Sequence, residues 1–197
     1  MKAPARPFAA SLVVFVTIGC AKLPGVQRPA TPRSEVDTLV ALALDTVAGS
    51  QSPLLLYAQE AQVPSAIFGP ERLRSLMRAA PEVDSLLATQ VFAPRPQPPQ
   101  PWQGVLSLPR PVRWVNDSLL KYWRQSTRGD QEFRRMQAGH AVVYAVARPV
   151  IDPSGKVAVV YVENLCSPVC DSGRAFVFVR DQQAHWVPRR VVLSWES

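Results

Sequence analysis

The sequence predicts an α+β domain in which N-terminal helices brace a C-terminal antiparallel β meander. Three observations carry that prediction. Before residue 92, apolar residues recur at helical spacing between proline and glycine breaks. From residue 141 onward the pattern becomes short runs rich in Val, Phe and Tyr, separated by turn residues. Between them lies "FAPRPQPPQPW" at 92–102, dense enough in proline to favour a stiff polyproline connector. Helices followed by a block of strands give α+β rather than alternating α/β.

The elements follow in order. "SEVDTLVALALDTVAGS" opens with Ser34 and Asp37 in a capping-box-like start, carries Val36, Leu39, Val40, Ala43, Leu44 and Val47 at helical spacing, and stops at Gly49. "PLLLYA" at 53–58 is short, apolar and bounded by proline, which suits a strand. "GPERLRSLMRAAPEVDSLLATQ" puts Pro70 at a first helical position and Leu73, Leu76 and Met77 on one face. Pro81 then divides this helix from a second short one.

Past the connector, "RPVRWV" reads as a strand and "NDSLLKYWRQS" as a helix capped by Asn116 or Asp117, with Leu119, Leu120 and Trp123 facing inward. Asp130 is placed to cap a further turn carrying Phe133 and Met136. "AVVYAVARPVI" then turns through "DPSG" into "KVAVVYVEN", followed by "RAFVFVR", a polar "DQQAH" turn and "WVPRRVVLSW". Strands of this length with short turns form a meander over about 141–196, braced by helices near 35–48, 70–88 and 117–127. Trp114, Tyr122, Trp123, Tyr144 and Phe176 fall at core-like positions.

The first 25 residues, "MKAPARPFAASLVVFVTIGCAKLPG", have another purpose. Lys2 and Arg6 precede an apolar stretch at 8–18, which rises only ~16 Å as helix against ~30 Å of hydrocarbon. A charged start, a short apolar body and small Gly19 before the cut describe an export signal over 1–19. Gly19-Cys20 resembles the lipobox of bacterial lipoproteins, which implies a lipidated (palmitate-bearing) Cys20 as first mature residue. Thr17 departs from the leucine usual three positions before that cysteine. Residues 20–33 are then a lipid-attached flexible tether, and 34–197 a single domain: helix-rich over 34–92, connector over 93–101, mixed and then β-rich over 102–197. The expected location is the bacterial envelope, periplasm-facing, with a soluble periplasmic product as the alternative. Ala21, rather than Asp, after the cysteine is compatible with outer-membrane sorting.

Ala147-Arg148, the "DPSGK" turn, "AVVYV" at 158–162, Cys166 with Cys170, "DSGRAFVFV" at 171–179, Trp186 and "SWES" at 194–197 form a second set. Together they resemble the C-terminal half of a family of uncharacterised bacterial exported domains, strongly over about residues 141–197. That family has a "CGGLCGSG" loop, where this chain carries Ser167 and Pro168 in place of two glycines. The resemblance implies the fold and the export, and nothing about chemistry.

Candidate chemistry centres on Cys166 and Cys170. Pro168 between them argues for a loop rather than a helix. In an oxidising compartment the expectation is a disulfide closing a small ring, contributing about 2 kcal/mol at most. A labile redox pair and inert thiols are the alternatives. Metal binding would need His140 and His185, which lie too far apart in sequence for the usual close zinc pairs. No metal or cofactor is expected, and no catalytic residue is assigned, because nucleophile-elbow, zinc-protease, P-loop and dinucleotide signatures are missing. Glu82 with Asp84, and Asp152 with Glu163, are possible carboxylate pairs, but their positions suit capping and solvation.

Lys and Arg number 22 against 15 Asp and Glu, a formal +7; loss of Lys2 and Arg6 leaves 20 against 15, or +5. No run reaches five like charges, and export removes nucleic acid as a partner. The expected partners are the membrane, through the lipid, and anionic envelope components. The expected role is a non-enzymatic envelope or binding domain, the alternative an enzyme or thiol-redox accessory using the cysteine loop with Asp171.

Overall fold

The computed structural model describes residues 34–62, 70–92, 98–138, 142–165 and 171–196. The signal, Cys20, the tether, His140, Cys166 and Cys170 lie outside the described residues. Among the described residues, five helices and seven strands follow in the order α1 (Glu35–Ala48), β1 (Leu54–Tyr57), α2 (Pro70–Ala79), α3 (Ser85–Phe92), β2 (Val112–Val115), α4 (Asp117–Gln125), α5 (Thr127–Ala138), β3 (Val143–Val146), β4 (Val150–Ile151), β5 (Val157–Leu165), β6 (Ser172–Arg180) and β7 (Trp186–Glu196). This is α+β, and its C-terminal strands are antiparallel as expected.

The sheet is larger than a meander. Its order is β2-β1-β3-β5-β6-β7, with β4 also paired to β5. β1 runs parallel to both β2 and β3, so the two short early strands extend the same sheet and make it mixed. The connection from β1 to β2 carries α2 and α3 over one face and Trp102, Leu106 and Leu108 over the α1 face. The connection from β2 to β3 carries α4 and α5 over the face of α2 and α3.

Strand alternation sorts the core into two layers. Leu54, Leu56, Tyr144, Val146, Ala158, Val160, Val162, Phe176 and Phe178 face α1 and Trp102. Leu55, Val115, Val143, Ala145, Val159, Tyr161, Ala175 and Val177 face α2–α5, where Trp123 stacks on Phe133 with ring centroids 4.9 Å apart. Both faces being apolar explains why these strands read as continuous hydrophobic runs.

Local chemistry sets the boundaries. Ser34 and Asp37 complete the expected capping box, and the second oxygen of Asp37 accepts from Ser107 N at 3.1 Å, which ties α1 to the strand-entry segment. Asn116 caps α4. Downstream, the structure differs from the expected single turn at Asp130. A whole helix follows, started by Ser126, whose hydroxyl accepts from Gly129 N at 2.9 Å, and Asp130 lies inside its first turn. α3 continues to Phe92 rather than ending at 88, because Leu87, Ala88 and Val91 remain buried. Tyr122 is 38% exposed, not core, since it points away from the face that buries Trp123.

Pro149 has no N–H to donate and separates β3 from β4. Arg148 at this break reaches Glu60 at 2.6 Å and lies over the Trp102 ring. At the outer edge, β7 carries two register shifts against β6, Pro188, Arg189 and Arg190, devices that blunt an edge against unwanted strand pairing. All of these elements belong to one compact unit, Arg33–Ser197.

The α4–α5 corner gives a direct test. A Cβ on Gly129 would meet Tyr122 O at 2.2 Å and Ser126 Oγ at 2.7 Å. Gly129→Ala should therefore lower stability by about 2 kcal/mol in urea denaturation, the scale of overpacking at a rigid contact.

Candidate functional site

One row of side chains crosses the helix-covered face near the end of β5. Ala145 of β3 pairs with Glu163, Glu163 with Gly173 of β6, and Gly173 with Trp195 of β7. Glu163 thus sits between a methyl group and a glycine. Its parity in the strand is that of Val159, Tyr161 and Leu165, all buried. Tyr161 Oη accepts a hydrogen bond from Trp195 Nε1 at 2.8 Å, and this contact fills the space above Gly173.

α4 closes the row from above and is tied at both ends. At its N-terminus, Asn116 Oδ1 accepts from Leu119 N at 2.9 Å, and the neighbouring Asp117 accepts from the Tyr57 hydroxyl and from Gln59 Nε2, the latter at 2.9 Å. Two turns later, Arg124 Nη2 donates to both oxygens of Asp171, at 2.7 and 2.9 Å. Asp171 stands two residues before Gly173 and leads into β6. The helix therefore clasps β1 with one turn and the entry to β6 with another.

Glu163 is the member of this group with no hydrogen bond among the described residues. Burial foremost, then the Asp171 charge, pushes its carboxyl up to about 7, with Arg124 opposing. Tyr57 is pushed up to about 12 by burial and by its bond to Asp117. Burial raises Tyr161 further, helped by the Glu163 charge and opposed by the Trp195 bond. Both phenols are neutral at physiological pH, so the site holds Asp117, Asp171, Arg124 and one carboxyl that changes charge near neutrality.

The residues singled out from sequence are distributed differently. Asp152 stays on its own turn: burial works against it, but the Ser154 hydroxyl and the N–H groups of Val157, Lys156 and Ser154 hold its carboxyl below the usual range. Asp84 is a cap, accepting from Leu87 N at 2.7 Å. Glu82 forms an ion pair with Arg190 at 2.9 Å. Glu163 is the correction. Expected to be solvated at a strand end with Asp152 as its counterpart, it is half-buried and faces Asp171, because β5 extends beyond it to Leu165. Arg124 and Asp117 were not anticipated; the signal available was Glu163 on the apolar parity of β5. His185 is 74% exposed, beside Asp181 at 3.8 Å. Among the described residues no group of three or more His, Cys, Asp or Glu could hold a metal, and no helix is long and apolar enough to cross a membrane.

No family model, no curated protein and no solved structure matches the chain. The functional reading therefore rests on the residues themselves.

Two outcomes are expected. In Gly173→Ala the new Cβ would lie 2.2 Å from both Trp195 Nε1 and Tyr161 Oη, so that contact must open, lowering Tm and shifting tryptophan emission. The Glu163 carboxyl, raised in the fold from 4.5 to about 7, keeps its proton after the unfolded chain has lost it. The protein should lose stability as pH rises from about 4.5 to about 7 and change no further from this group above that. Glu163→Gln should remove this component, so the variant gains on the wild type across the same window in denaturation measured at successive pH values.

Proposed function

We propose that the chain is a lipid-anchored envelope domain that binds a partner through the polar end of its helix-covered face. Cys20 is the attachment point, the tether over 20–33 lifts the domain from the membrane, and the domain faces the periplasm. The observation that carries the binding role is Glu163: a half-buried carboxyl without a hydrogen bond among the described residues, beside a clasp of Arg124 and Asp171. Carboxyl groups in such surroundings normally have a donor, and a partner's polar group is one way to supply it.

In sequence, Cys166 and Cys170 lie between Glu163 and Asp171. Asn164 pairs with Ser172, and Cys166 and Cys170 stand two residues beyond that pair on either side. That symmetry supports a Cys166–Cys170 disulfide as a staple at the end of the hairpin. Non-reducing mass analysis of the exported protein should show a two-hydrogen loss for the peptide carrying both. Facile reduction by mild thiols would favour the redox alternative, in which the loop acts with Asp171.

Arginines provide a second reading. A groove of about 670 Å³ is lined by Glu71, Arg74, Met77 and Arg78, and one of about 470 Å³ by Arg128, Gln131, Glu132 and Arg135. Paired arginines suit anionic head groups or acidic polysaccharide.

Labelled palmitate should enter the wild type and not Cys20→Ala, with the variant released from membranes. Cross-linking of the tagged protein in intact envelopes should capture a defined neighbour that Arg124→Ala loses and Arg134→Ala, an exposed ion-pair control, retains. Equal capture by both variants would overturn the proposed site.

A further inference from the structure

The clasp between α4 and the entry to β6 and the Glu163 carboxyl lie within electrostatic reach of one another. Arg124 holds Asp171 through two contacts at 2.7 and 2.9 Å, while Glu163 lies on the same face of the sheet opposite Gly173, within the influence of both. Cross-strand diagonal neighbours are close enough for long side chains to meet. The charges acting on Glu163 are Asp171 at the entry to β6 and Arg124 of α4, while Tyr161 of its own strand feels the Glu163 charge and the uncharged Trp195 of β7 completes its row. Tyr57 of β1 and Asp117 of α4 are coupled to one another and to Arg124. The register partner of Glu163 on β3 is Ala145. Tyr57 and Gln59 are already committed to Asp117, and Tyr161 to Trp195. Arg124 is therefore the cation among these groups for which two carboxylates would compete.

We propose that Glu163 gates the clasp: neutral, it leaves Arg124 on Asp171 and α4 seated; ionised, it draws Arg124 inward, repels Asp171 and loosens the C-terminal turn of α4 from the entry to β6. This rests on the binding reading above and adds its regulation. No covalent step is involved; one proton leaves Glu163 to solvent, and the charge of Asp117, Asp171, Glu163 and Arg124 together passes from −1 to −2. An arginine offered two carboxylates keeps the better desolvated geometry, and repulsion between the carboxylates moves the one nearer solvent. Asp171 precedes the first residue of β6, whereas Glu163 is held within β5 by partners on both sides, so Asp171 is the one that gives way. Titration of Glu163 near 7 puts the transition in the range an envelope meets.

Hydrogen exchange of the full-length protein at pH 6 and pH 8.5, corrected for intrinsic rates, tests this. Peptides covering 117–125 should lose about tenfold in protection between the two pH values, while those covering 157–162 stay protected and report an intact core. Glu163→Gln should keep the pH 6 protection at both values. Asp171→Asn, which weakens the clasp directly, should exchange faster at both. Equal protection of the wild type at pH 6 and 8.5, or the same loss in Glu163→Gln, would overturn the gate. The measurement needs no partner, so its failure removes the gate alone, whereas undiminished cross-linking by Arg124→Ala removes the binding reading alone.

Discussion

Strand β5 is the constraint around which the rest is arranged. Ala158 through Val162 are buried on both faces, so the strand must be covered from two sides and paired along both edges. β6 runs along one edge for eight residue pairs. The other edge is shared end to end by β3 and β4, with Pro149 at the break between them. α1 and the Trp102 segment then cover one face, and α2–α5 the other. A three-layer domain is the consequence of one strand with no polar face.

Charged groups occur where this covering layer meets its margins, and they repeat one device. Arg180 lies over the Trp186 ring, pairs with Glu35 and donates to Gly155 O and Ala184 O, tying two turns to the start of α1. Arg148 lies over Trp102 and pairs with buried Glu60, joining the end of β1 to the β3–β4 break. In both cases a guanidinium contributes flat packing surface as well as charge, a use lysine does not serve. The Arg124–Asp171 pair likewise ties a helix to the entry of a strand, and the Glu163 carboxyl lies within its electrostatic reach.

Much of the fold was legible because local signals agreed with the final structure. The Ser34/Asp37 capping box, the Pro81 break, the Asn116 cap and the Asp152–Gly155 turn each act over a few residues, and each is realised. The parallel pairing of β1 was not legible. A four-residue apolar run is the same in any sheet, and its neighbours at 112–115 and 143–144 are brought to it by two long connections. Helix α5 was underestimated because its weakly apolar sequence is held mainly by Phe133 against Trp123.

The candidate site divides along the same line. Sequence alone determined that Glu163 ends an apolar run and that a cysteine pair follows it, since alternation and spacing are properties of one strand. That reading left the carboxyl solvated at a strand end, and its burial came from the structure. Tertiary structure decided which groups surround that carboxyl. Arg124 arrives from a helix 39 positions earlier, the row of Ala145, Gly173 and Trp195 is set by strand register, and Asp117 is fixed by Tyr57 from β1. Proton affinity depends on desolvation and on charges a few ångströms away. Those distances come into existence only when separate segments are packed against one another.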